Sequence, residues 1–282
     1  MSKFTVFGAH GNTGSIVAHR LLDAGHQVRA VARDASKLET LRARGAEVVT
    51  ANVTDRAQVQ AALAGADAAY LLLPPDMQSN DLIARARTIV ANYKAGLANV
   101  PRAVLLSSIG AQVPSGTGPI VTTHIAEQEL PATVTALRAA YFMENILMNA
   151  HPMKADGVLP VFGGGETYPF PMVATRDIGA VAAELLLSPT PPPRVVELAG
   201  PADYSFVDAA SSASAILGRP VRATAVPIEQ LVPTFTSFGI SPHVAGMFRD
   251  MILAFGKGLA RFESTPRRAT TPLSEVLRSG LA

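Results

Sequence analysis

Three glycines recur at intervals of three, Gly8, Gly11 and Gly14, within the stretch FTVFGAHGNTGSIVAHRLL. Set between an apolar strand and an amphipathic helix, this spacing suits a turn around a diphosphate. Gly8 would let the chain turn sharply at the strand end. Gly11 would let the backbone approach a phosphate with no Cβ in the way, and Gly14 would let the helix pack closely. The helix N-terminus adds partial positive charge and free N–H groups. His10, Asn12 and Thr13 complete the turn, the last two as side-chain donors. The spacing differs from GxGxxG, and it lacks the GK[ST] ending of an ATP-binding P-loop.

The second strand, QVRAVA, leads into Arg33, where a guanidinium would pair with a 2′-phosphate and stack on adenine. Lys37, one helical turn on, would assist. Asp34 is either an acidic partner for a ribose hydroxyl or the cap of the following helix. The expected cofactor is therefore NADP(H), with NADPH favoured over NADH. Asn52, Val53 and Thr54, after the third strand, would line the adenine. Leu73, Pro74 and Pro75, after the fourth, would flank the nicotinamide ribose together with Ser107 at the end of the fifth. For these loop positions a plain connecting role is the alternative.

The elements that must position these residues alternate regularly. KFTVF, QVRAVAR, AEVVTA, DAAYLLLPP and PRAVLLSSIG read as strands, separated by amphipathic helices. Ser36 and Glu39 are spaced as a capping box for the second helix. VTTHIAEQEL and ATVTALRAA supply a sixth unit. The spacing predicts an α/β fold, a Rossmann-like doubly wound parallel sheet in the order 3-2-1-4-5-6. Residues 1–150, completed by about 174–200, would form the nucleotide-binding part. Residues 151–173 and 201–282 would form a smaller, mainly helical part covering the substrate, all in one compact unit. NAHPMKADGVLPVFGGGETYPFPMV, rich in Gly and Pro, reads as loop.

Composition narrows the chemistry. Hydrophobic residues are 48% of the 282, enough for a sizeable core, and Lys+Arg 24 nearly balances Asp+Glu 22. With no basic face, nucleic-acid binding is not expected. The absence of cysteine removes disulfides, zinc-thiolate sites and thiol nucleophiles. The six histidines show no paired spacing, so no metal is expected. There is no GxSxG elbow. Neither a signal peptide nor a membrane-spanning run is evident, which predicts a cytoplasmic protein; the sequence leaves monomer and homodimer both open.

Taken in order, GAHGNTG, VRAVARD, GAEVVTANVTD, LLSSIGA, LRAAYFMENIL and VATRDIGAVAAELL resemble the NmrA-like branch of the atypical short-chain dehydrogenases. That branch includes NADPH-dependent quinone reductases, azo-dye reductases, aromatic-ring reductases of plants and nucleotide-sensing regulators. The resemblance implies NADP(H) binding strongly and a particular reaction only weakly.

Short-chain dehydrogenases typically use Tyr-x-x-x-Lys for acid–base work. None of the five tyrosines here has a lysine four residues on, and the matching helix, TTHIAEQE, places Thr123 and Glu127 at those positions. Electron-poor acceptors such as quinones and azo compounds tolerate that lack. Two classes follow: a reductase of a small aromatic electron acceptor, or a non-catalytic NADP(H) sensor. On the first, His124 is the best-placed acid, with an ordinary helix-surface histidine as the alternative. Ser108 would hydrogen-bond an acceptor oxygen or the nicotinamide ribose, unless it only shapes a turn. Tyr141 would contact nicotinamide or substrate. Phe142 would join it there, Asn145 would hold a loop of the substrate region, and Phe162, Tyr168 and Phe170 would form an apolar slot for a flat ring, with a satellite core as the alternative.

Overall fold

The computed structural model describes residues 1–282. Its strands are β1 Lys3–Phe7, β2 Gln27–Ala32, β3 Glu47–Thr50, β4 Ala68–Leu71, β5 Ala103–Ser108, β6 Val134–Ala139, β7 Tyr141–Phe142, β8 Val158–Phe162, β9 Phe170–Val173, β10 Val195–Ala199, β11 Asp203–Tyr204, β12 Arg222–Val226 and β13 Arg267–Arg268. The helices are α1 Gly14–Asp23, α2 Glu39–Ala43, α3 Arg56–Leu63, α4 Leu82–Gly96, α5 Ile120–Glu129, α6 Ala150–Ala155, α7 Thr175–Leu187, α8 Phe206–Leu217, α9 Leu231–Ser237, α10 Pro242–Gly256 and α11 Leu273–Leu281.

Eight parallel strands form one sheet in the order β13-β10-β6-β5-β4-β1-β2-β3. The expected order 3-2-1-4-5-6 lies inside it, so the fold is a Rossmann-like doubly wound sheet. Residues 195–199 extend it beside β6, and the short β13 adds an eighth strand. Central strands buried on both faces read as nearly continuous apolar runs, as β4 and β6 do.

Each face of the sheet carries its own core. On one, Val17 and Leu21 of α1 meet Ile178, Val181 and Leu186 of α7. A Cβ on Gly179 would lie 2.8 Å from the Thr13 carbonyl oxygen, so glycine there sets how closely α7 approaches α1. On the other face, Val59 and Leu63 of α3, Ile89 and Tyr93 of α4, and Ile125 of α5 pack together.

The helix caps are local and strong. Asp55 accepts from the Gln58 amide and Asp81 from the Ala84 amide. The Ser36–Glu39 capping box does not form. Asp34 accepts from the Ser36 amide and hydroxyl, at 3.0 and 2.7 Å, and caps a 3₁₀ turn over Ala35–Leu38 instead.

The stretch read as a loop contains structure: α6, then β8, then β9. β8 pairs in parallel with β12, some sixty residues away, and β9 lies between β7 and β11. α8 and α11 close a third core over these elements, around Met143, Leu159 and Leu277. α10 spans the carboxyl edge of the main sheet. A Cβ on Gly118 would lie 2.9 Å from the Met251 amide nitrogen, so α10 sits directly on the β5–α5 loop. No helix is long and apolar enough to cross a membrane.

Candidate active site

The glycine turn is closed and pre-shaped. Gly8 has φ +63°, and a Cβ there would reach Leu72 Cδ2 at 2.5 Å. The Gly11 amide donates to the Gly8 carbonyl at 2.9 Å. A Cβ on Gly14 would strike that same carbonyl, its carbon at 2.9 Å. Gly8, by its positive φ, and Gly14, by its contact with the Gly8 backbone, admit only glycine, while Gly11 leaves a Cβ just 3.3 Å from the Gly8 carbonyl oxygen. The amides of Asn12 and Thr13 donate to no protein acceptor. They are orphan donors at a helix N-terminus, the chemistry that a diphosphate fits. The Thr13 side chain turns inward, where its hydroxyl accepts from Tyr70 at 2.9 Å. Burial pushes the Tyr70 phenol above its ordinary range, so it stays a donor.

Beyond β2, Arg33 is exposed and makes no hydrogen bond or ion pair with the protein, while Asp34 is engaged with Ser36. The Ser36 hydrogen bonds, with Lys37 and His10 adding smaller attraction, hold the Asp34 carboxyl below its usual range. His10, Arg33 and Lys37 are all exposed.

The next two loops lie along the same edge. Asn52 is exposed, with its side-chain oxygen accepting from the Thr54 amide and hydroxyl. The Val53 side chain is buried in the core, and only its backbone borders the edge, its carbonyl accepting from Asn92. Leu73 and Pro74 are half-buried and Pro75 is exposed. With Asp76, Met77, α4, the start of α5 and α10, they line a partly open cavity of about 110 Å³.

At the end of β5, Ser107 is buried and donates to the Glu127 carboxylate at 2.5 Å. Ser108 is half-buried and donates to the Ile109 carbonyl. His124 of α5 is half-buried, with Nδ1 at 2.8 Å from the Ala111 carbonyl. A carbonyl only accepts, so Nδ1 carries the proton and Nε2 is the free position. The Thr123 hydroxyl donates back into its own helix, to Ile120.

Glu127 has a different employment. It accepts from Arg138 Nε and Nη2 at 3.0 and 2.7 Å, both residues being buried. Arg138 lies opposite both Ser107 and Glu197 in the strand register, and it also reaches Glu263. Burial opposes the Arg138 charge, but the Glu127 and Glu263 carboxylates outweigh it and hold the guanidinium above its ordinary pKa. Sequence reading passed over this network. Its signal was available in a single charge at the middle of each apolar strand, TALRAA and VVELA.

The aromatic candidates fall into two groups. Tyr141 meets Phe170 and Phe206 edge-on, and Phe170 touches Phe255 of α10. Burial pushes the Tyr141 phenol up to about 12, against a pull from Asn145. Phe162 packs edge-on against Phe235, which meets Phe248 of α10. Phe142 packs against the core of the main sheet. Tyr168 is 76% exposed on the loop between β8 and β9, apart from both groups. The α10 rings that join these groups lie in the part that the sequence marked only as mainly helical and covering the substrate.

Known proteins are similar to this chain in sequence and in fold. An NAD(P)H azoreductase of Xenophilus azovorans is 29% identical over 254 residues, 87% of this chain and 85% of that protein. A (4-alkanoyl-5-oxo-2,5-dihydrofuran-3-yl)methyl phosphate reductase of Streptomyces griseus is 32% identical over 222 residues, 77% and 74% of the two chains. The crystal structure of NADPH-dependent quinone oxidoreductase QOR2 of Escherichia coli, complexed with NADPH, superposes with a TM-score of 0.81 over 98% of this chain and 99% of that one, at 23% identity. The family model of the NmrA-like family matches residues 1–264, and the chain belongs to that family.

Proposed function

We propose that the chain is an NAD(P)H-dependent reductase that prefers NADPH and reduces a planar, electron-poor acceptor such as a quinone or an azo compound. The observation that carries this reading is the contrast between neighbours after β2. Asp34 is engaged in capping, while Arg33 presents an unpartnered guanidinium. An acid that holds a ribose diol is thus occupied elsewhere, and a cation suited to a 2′-phosphate is free.

The orphan amides of the Gly8–Gly14 turn would hold the diphosphate. Arg33, Lys37 and His10 would hold the 2′-phosphate. Asn52 and the Val53 backbone would border adenine, and Leu73, Pro74, Pro75 and Ser107 the nicotinamide half. Bound there, the nicotinamide supplies a hydride. Residues 1–150, with about 174–200, would serve the nucleotide, and residues 151–173 and 201–282 would cover the acceptor.

On the acceptor side, Ser108 would hydrogen-bond an oxygen, and Tyr141, Phe142, Asn145, Phe162 and Phe170 would flank the ring, with Tyr168 at the exposed rim. His124, steadied at Nδ1 by Ala111, would deliver a proton from Nε2 in its charged form. No Tyr-x-x-x-Lys pair is needed for an acceptor whose reduction depends little on a strong acid. The azoreductase and quinone oxidoreductase among the similar proteins support this acceptor class.

The test is absorbance at the NADPH band with the pure protein and a panel of quinones and azo dyes. Turnover is expected with NADPH, and more slowly with NADH. Tight NADPH binding without turnover on any acceptor would overturn the reductase in favour of a non-catalytic NADP(H) sensor.

A further inference from the structure

We propose that the cavity between α4, α5 and α10 binds one six-membered ring of a neutral aromatic carbonyl compound, with the carbonyl oxygen on the Arg85 guanidinium. The proposal rests on the reductase reading only in taking that ring to be part of the acceptor.

The cavity measures about 110 Å³ and its walls include Leu73, Pro74, Ile89, Val244 and Phe248. A dry apolar cavity of about 150 Å³ accepts benzene, and this smaller one, partly open to solvent, takes at most one ring with the rest of the occupant outside it. Its polar groups are few. The Thr122 hydroxyl is already donated to the Pro119 carbonyl at 2.7 Å.

Arg85 differs from the other arginines withdrawn from solvent. Arg29 donates to Glu47 and to the Ala62 and Ala64 carbonyls, Arg102 to the Leu186 carbonyl, Arg138 to Glu127, and Arg194 to the Pro131 carbonyl. Arg85 has a side chain only 18% exposed, yet its guanidinium donates to no protein acceptor, and its Nε is buried without a partner. Asp76 Oδ2 stands 3.4 Å from that Nε, near enough to balance the charge but not to form the hydrogen bond.

A buried, unpartnered Nε–H beside an apolar cavity, on a guanidinium fork whose other nitrogens have no protein acceptor, calls for an acceptor oxygen on the occupant. The charge balance then chooses among oxygens. A carboxylate would meet the Asp76 charge, whereas a neutral carbonyl accepts from Arg85 without that repulsion. Aryl ketones, aldehydes and quinones satisfy both the walls and the fork.

The test uses the full chain and measures acetophenone, ethylbenzene and benzoate binding by ligand-observed NMR. Acetophenone is expected to bind about five-fold or more tighter than either of the others. Arg85→Met, which keeps the apolar stem, should weaken acetophenone by a similar factor and leave NADPH affinity unchanged. Asp76→Asn tests the same idea by gain: benzoate affinity should rise about five-fold, with acetophenone within about two-fold of its starting value. No acetophenone binding, equal binding of ethylbenzene, or indifference of benzoate to Asp76→Asn would overturn the proposal. Acetophenone binding with these responses, in a protein that turns over no acceptor, would sink the reductase reading and leave the pocket standing.

Discussion

Arg138 holds Glu127 with two nitrogens, Nε at 3.0 Å and Nη2 at 2.7 Å, across the gap between β6 and α5. The helix that would carry an acid–base lysine is thus tied to the sheet by a buried carboxylate, which also fixes the Ser107 hydroxyl. Removing the cation strands Glu127 and Glu197 in the interior. Arg138→Met should therefore cost about 3–5 kcal/mol in stability, read from urea denaturation. A loss below about 1 kcal/mol would mean that the carboxylates find other partners.

Glu197 gives the network a pH dependence of known sign. Burial would raise its carboxyl, but the Glu263 and Ser264 amides, the Ser264 hydroxyl and Arg138 together hold it below the ordinary range. A depressed folded pKa adds stability that is present above the unfolded value, about 4.3, and is lost as pH falls through the folded one. Glu197→Gln has no such titration. The melting-temperature gap between the two proteins should be widest near about pH 7 and narrow toward about pH 3. A constant gap would show that Glu197 titrates alike in both states.

Arg33→Ala should weaken NADPH about ten-fold or more and NADH by less than about two-fold, measured by fluorescence titration. The reason is that Arg33 has no structural employment to lose: it is exposed and unpartnered. Stability should be unaltered. Equal losses for both nucleotides would remove the 2′-phosphate role.

The parts of this fold that were legible are those whose signals are local. Strand–turn–helix units announce themselves by apolar period, and Gly25 and Gly65, both at positive φ, lie just past the ends of α1 and α3. What was missed depended on distant partners. VLPVF, β8, is a strand because Arg222–Val226 lies beside it, and nothing within twenty residues says so. Ser36 failed as a cap because Asp34, two residues earlier, captured both its amide and its hydroxyl. Arg85 lies on a well-patterned helix, and the cavity it lines is completed by α10, which arrives from far along the chain.

The glycine turn can be tested by adding one methyl group. In Gly14→Ala the new Cβ would lie against the Gly8 carbonyl and 3.3 Å from Ala9 Cα, so the backbone must open. NADPH affinity should fall about ten-fold or more. Gly25→Ala is the comparison: its Cβ meets nothing within 4 Å, and only φ +77° opposes it. It should cost about 1–2 kcal/mol of stability and leave affinity alone. Equal nucleotide affinities in the two variants would show that the turn does not cradle the phosphates.

His124 separates holding a loop from moving a proton. Its Nδ1 anchors the Ala111 carbonyl at 2.8 Å, and only Nε2 is free to act. Asparagine places a donor near Nδ1 and nothing at Nε2. His124→Asn should therefore restore the melting temperature lost in His124→Ala, yet both should lower kcat by about ten-fold, with NADPH affinity unchanged. Imidazole added to His124→Ala should recover part of the rate by replacing the missing proton donor. If His124→Asn turns over like the native protein, the ring serves only to hold the β5–α5 loop, and the proton comes from water.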